Sequence, residues 1–185
     1  MLEALAQLDA RGLAWVQEHV RHAWLEGPMH VLSGLRYHVP WLVLVALLLW
    51  VKGGAKGRRA VVVALLLVAV TDQLSSAVLK ELFLRPRPHG GTSYSFPSSH
   101  AANRFGQAVF FSGWYRRAAW ALLPAALLVS LSRVYLAKHY PFDVLGGAVV
   151  GAGCGVAALV LAARYEARLD AWIERGRLAL TRRRR

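Results

Sequence analysis

An all-α, integral-membrane helical bundle is the fold class this chain predicts, and three observations predict it. Hydrophobic residues make up 56% of the sequence. They collect in runs near the ~20 residues that carry a helix through a ~30 Å hydrocarbon layer. The cations lie mostly between and after those runs, as they do in membrane proteins. At 185 residues the length fits one domain. A net charge of +13 on a soluble chain would suggest nucleic acid. This distribution instead makes the lipid bilayer the partner and argues against nucleic acid.

Residues 2–25 set Leu2, Leu5, Leu8, Leu13, Val16, Val20 and Trp24 near helical spacing, with charges between them. The pattern predicts an N-terminal amphipathic helix lying in the membrane interface, the alternative being a helix packed on the body of the protein. Glu3, Asp9, Arg11, Glu18 and Arg21 are too many charges for the apolar core of a signal peptide. Apolar spans follow at 31–51, 60–80, 101–115, 118–136 and 143–163. The third is short and partly polar. The first contains Arg36 and His38, which suit headgroup depth. Five to six transmembrane helices are expected, any sixth falling in the amphipathic segment. The organisation is then an interfacial helix over 1–27, a membrane core over 28–165 and a basic cytoplasmic tail over 166–185.

Five spans place Lys52, Lys56, Arg58 and Arg59, the Arg116–Arg117 turn and the arginine-rich tail on one side. Positive charge marks that side as cytoplasmic. The 81–100 loop and the 136–143 turn then face the periplasm or exterior. In the last span Gly147, Gly151 and Gly155 form a small-residue ridge, expected to serve packing within the chain, with dimerisation as the alternative. The single Cys154 excludes an intrachain disulfide.

The chemistry sits in three strings: Lys80 with Arg87-Pro88, then Pro97-Ser98-Ser99-His100, then Ser132-Arg133 with His139 and Asp143. Together they hold three cations, two imidazoles, small hydroxyls and one carboxylate, an inventory for gripping a phosphate and attacking it. Asp143 follows His139 by four residues, so one helical turn brings its carboxylate toward the ring. No cluster with metal-ligand spacing is visible, and no cofactor is implied. Between Gly27 and Tyr165 the only acidic residues are Asp72, Glu81 and Asp143. Asp72, Ser76 and Lys80 form one polar stripe, and His100, Asn103, Arg104 and Gln107 another. Intramembrane polar stripes face one another or a wet cavity, and Asp72 and Arg104 are expected to glue their helices together. Arg85 and Lys138, outside the strings, are expected to bind headgroups or to act as steering charges.

These strings, in this order, resemble the signature of the type 2 phosphatidic acid phosphatase family, which also contains vanadium-dependent haloperoxidases. Ser99 stands where that family most often has glycine. Five spans are one fewer than its membrane members commonly show. The resemblance implies a membrane lipid phosphate substrate and gives His139 the part of nucleophile, forming a phosphohistidine. His100 takes that of general acid and then base, and Asp143 orients His139. Lys80, Arg87, Arg133, Ser98 and Ser99, with backbone N–H groups of the 97–100 turn, bind the phosphate. Candidate substrates are undecaprenyl diphosphate, slightly favoured, phosphatidylglycerophosphate and the lipid A 1-phosphate. A lipid-to-lipid phosphotransferase and a non-catalytic lipid-binding or transport protein are the competing functions.

Overall fold

The computed structural model describes the backbone of residues 2–90 and 92–183 and the side chains of residues 3–90 and 92–166. Helices α1 (Leu2–His19), α2 (Ala23–Ser33), α3 (Leu35–Lys52), α4 (Gly54–Gln73), α5 (Lys80–Phe83), α6 (Ser99–Trp114), α7 (Ala119–Tyr135) and α8 (Pro141–Arg183) make up the molecule. A π-helical stretch, Leu74–Leu79, joins α4 to α5, and a 3₁₀ turn, Arg116–Ala118, precedes α7. The expected all-α membrane bundle is what the chain forms.

Four rods are long and apolar enough to cross a bilayer: Leu35–Lys52, Gly54–Phe83, Arg116–Tyr135 and Pro141–Glu166. The chain is a multi-pass membrane protein. The expected third span is α6, which is shorter and falls outside that set. It is a central helix, packed between α4, α7 and α8, and its polar residues are half-buried among them. At the other extreme, none of the α3 window is buried, and Trp41 is 69% exposed. Such all-round apolar exposure is stable only where lipid is the solvent.

Two boundaries differ from expectation. The 2–25 segment is two helices, α1 and the start of α2, broken at Val20–His22. Gly34 then separates α2 from α3, so the first span starts at Leu35. The expected 27/28 boundary therefore falls inside α2, and α8 continues as helix beyond residue 166. The break turns α1 back onto the body of the protein. Gln17 donates to the Tyr135 carbonyl at 2.9 Å, and the Tyr135 hydroxyl donates to the His22 carbonyl at 2.9 Å. Leu13 closes a small core with Ala101, Val134, Ala137 and Val144. An amphipathic stripe read as an interfacial face thus covers the ends of α6, α7 and α8.

The glycine ridge of α8 is taken up by α6. A Cβ on Gly151 would collide with the Ala102 carbonyl oxygen, and one on Gly147 with that of Ser98; at Gly155 it would lie 2.6 Å from the Gly106 carbonyl. Backbones this close leave no room for a side chain, which is why small residues recur on this face. Gly151→Val is expected to destabilise the bundle by at least about 1–3 kcal/mol through overpacking. Thermal melting in detergent checks this, and an unshifted melt would show that α6 and α8 do not meet here.

Candidate active site

Two helix ends and one helix start converge at one end of the bundle. The first is the end of α5. Leu84 turns left-handed at φ 49°, its N–H bonding the Lys80 carbonyl at 3.0 Å, and this stops the helix and releases the 84–98 loop. The second is the end of α7. Ala137, also at φ 49°, reverses the chain so that the N–H groups of Lys138 and His139 both reach the Arg133 carbonyl, at 2.9 and 3.3 Å. That fold-back places the His139 ring beside Arg133. The third is the start of α6, where the Ser98 hydroxyl accepts from the Ala101 N–H at 3.5 Å. Ser98 is fully buried and serves as helix cap, with its own N–H held by the Asp143 carbonyl at 2.9 Å.

The sequence-predicted residues meet here. Lys80, Arg133, His139 and Asp143 are all buried. Arg87 and Arg133 lie close enough to act electrostatically on both Lys80 and His139. His100 is half-buried and feels Arg133 and His139. Arg87 is aimed by its loop: Nε donates to the Ser93 carbonyl and Nη2 to the Ser93 hydroxyl, each at 2.9 Å, and Nη1 reaches the Lys138 carbonyl at 3.3 Å. Arg133 donates to the Ser33 hydroxyl, while its Nε has no protein partner. The Ser99 hydroxyl lies 3.2 Å from that of Ser76 and ties α6 to the π-helical stretch.

Asp143 stands behind His139, with Oδ2 3.7 Å from Nδ1. This is an ion-pair separation, longer than a hydrogen bond, and Nδ1 has no other protein partner. In unliganded sites such contacts are commonly long and tighten on binding. The carboxylate is fixed from elsewhere. It accepts from the Tyr140 N–H at 2.8 Å, the N3 half of a capping box at the start of α8, from the Ser95 hydroxyl and from Arg85 at 2.7 Å. Nε2 is the ring nitrogen not turned toward Asp143.

Burial pushes the His139 pKa below its ordinary 6.5; Arg133 and Arg87 act in the same direction, and Asp143 opposes them. The imidazole is therefore neutral at physiological pH, as a nucleophile must be. Lys138 is likewise lowered, first by burial and then by Arg133 and Arg87. NMR titration of the ligand-free protein labelled at histidine is expected to place the His139 midpoint below 6.5. A midpoint above that value would mean Asp143 outweighs burial and the arginines.

One residue, Asp9, has no role in the sequence reading, and two expectations need correction. Arg85 does not meet headgroups. It bridges Asp143 and Asp9, at 2.7 Å to each, and its guanidinium lies 4.2 Å from the Tyr140 ring centroid. Asp9, counted only as one of several charges on α1, has a fully buried side chain and accepts from the Phe142 N–H at 2.8 Å. The signal available in sequence was its place on the α1 stripe, one turn before Leu13. Of the expected helix glue, Asp72 bonds Asn103 at 3.3 Å. Arg104 is in no ion pair or hydrogen bond among the described residues.

Comparison with known proteins agrees with this geometry. The chain is 33% identical over 140 residues to the undecaprenyl-diphosphatase of Sulfolobus acidocaldarius, covering 70% of this chain and 66% of that protein. It is 28% identical over 190 residues to a lipid A 4'-phosphatase of Bacteroides thetaiotaomicron, covering 92% and 84%. The crystal structure of a transmembrane PAP2-type phosphatidylglycerolphosphate phosphatase from Bacillus subtilis superposes with a TM-score of 0.71, at 25% identity and 87% coverage of both chains. The PAP2 superfamily model matches residues 60–166, more than half of the sequence. On that match, and with its three motifs folded to one end of the bundle, this chain belongs to the PAP2 superfamily.

Proposed function

We propose that the protein is a membrane lipid phosphatase that removes a terminal phosphate from a lipid phosphate or diphosphate, with a polyprenyl diphosphate such as undecaprenyl diphosphate the favoured substrate. The observation that carries this is a buried imidazole backed by a carboxylate, with Arg87 and Arg133 acting on it and Lys80 beside the same two arginines. Nε2 of His139 attacks phosphorus, and the P–O bond to the leaving oxygen breaks. His100 protonates that oxygen where it leaves as an alkoxide. Water activated by His100 then cleaves the P–N bond, releasing phosphate and restoring the ring. The cations and N–H groups at the α6 start neutralise the equatorial oxygens. The cationic loops cluster at the opposite end of the bundle, which supports a site facing the periplasm or exterior.

The test is phosphate release by the full-length protein in detergent from undecaprenyl diphosphate, phosphatidylglycerophosphate, phosphatidic acid and lipid A, with vanadate as inhibitor. Vanadate-sensitive release is expected, fastest on the diphosphate. A protein that binds these lipids and hydrolyses none of them would be a binding protein. Label moving to a second lipid instead of water would make it a phosphotransferase.

A further inference from the structure

Arg104 is a charge inside the membrane region with no ion-pair or hydrogen-bond partner among the described residues. A residue of this kind is costly and marks function more often than structure. On α6 it follows His100 by one turn, so both occupy the same helix face. The other faces are committed: Ala102 and Gly106 meet the α8 ridge, while Asn103 reaches Asp72 and Gln107 reaches the Ala64 carbonyl on α4. The His100–Arg104 face therefore looks between α4 and α7, which pack on α6 rather than on each other among the described residues. Four residues place Arg104 about 6 Å deeper than His100. Helical side chains lean toward the N-terminus, so its guanidinium reaches back beneath the phosphate site.

We propose that Arg104 is the specificity residue for a diphosphate, binding the second phosphoryl group, the one that leaves on the lipid. The inference rests on the phosphatase function proposed above. With the terminal phosphate among Lys80, Arg87 and Arg133, the tail must run into the bilayer. The group joining the two then passes the deeper turn of α6. When Nε2 of His139 bonds to the terminal phosphorus, the bridging P–O bond breaks and its electron pair stays on the bridging oxygen. The departing lipid monophosphate gains one negative charge, and a half-buried arginine beside it offsets that charge with a planar fork. Asp72 at the same depth turns toward Asn103 and leaves the guanidinium available. A monophosphate ester has no phosphoryl group at this position, and its alkoxide leaving group depends on the His100 proton instead.

The test compares Arg104→Gln with the wild type on farnesyl diphosphate and on phosphatidic acid, in detergent. The ratio of kcat/KM for diphosphate over monophosphate is expected to fall at least about tenfold. Arg104→Lys should recover part of that ratio, because it keeps the charge without the fork. An unchanged ratio, whether both activities fall together or neither moves, overturns the inference and leaves Arg104 structural or bound to bulk lipid. A wild type that hydrolyses only phosphatidic acid overturns it while the phosphatase function stands. A wild type that hydrolyses neither refutes the proposed function itself.

Discussion

His139→Ala is expected to lower phosphate release at least about a thousandfold, the scale seen when an enzyme loses its nucleophile, while the bundle stays folded. Loss of activity alone would not separate chemistry from folding, so the second half of this expectation matters. The His139 Nδ1 has no hydrogen-bond partner among the described residues, and its Asp143 neighbour keeps Arg85, Ser95 and the Tyr140 N–H. Removing the ring strands no buried polar group. Stability should change only by a cavity term of about 1–3 kcal/mol. Phosphate release and thermal melting on the same preparation check both halves. Appreciable residual turnover in the variant would exclude His139 as the attacking group.

Arg85→Ala should have the opposite signature, in which stability and activity fall together. Arg85 is the cation between two carboxylates whose side chains are wholly buried. Its removal leaves Asp9 and Asp143 facing each other with no positive charge between them. Stranding buried charge costs about 3–5 kcal/mol, so the variant should melt well below the wild type and release little phosphate. Asp9→Asn should be milder, since an amide oxygen still accepts from Phe142 N–H and the Arg85–Asp143 pair survives. An Arg85→Ala protein that melts like the wild type would show that the bridge contributes nothing.

What was legible in the sequence follows from what each signal depends on. Apolar runs and motif spacing are local, so the membrane bundle and the residues gathered at its site could be read directly. His139 and Asp143 are four residues apart, so their closeness could be anticipated, although His139 precedes α8 and is placed by the Ala137 fold-back. Arg85 and Asp9 lie 76 positions apart by their numbers, and no local pattern announces that α1 folds over the start of α8. A charged residue on an amphipathic stripe looks solvated until the surface covering it is known. Arg104 was misjudged for a related reason. Its polar stripe was visible, but whether Asp72 would meet Arg104 or Asn103 depends on the rotation of α6 against α4. The α8 glycines fix that rotation by setting how closely α6 approaches.

The most direct measurement is capture of the phosphoenzyme. The full-length protein is mixed with terminally ³²P-labelled diphosphate lipid, quenched in alkali and digested. An alkali-stable, acid-labile label on the peptide bearing imidazole 139 is expected. It should be stronger in His100→Ala, where water attack is slowed, and missing from His139→Ala. Label on any other side chain, or none in the His100→Ala protein while lipid is consumed, would contradict a transient P–N bond at that ring.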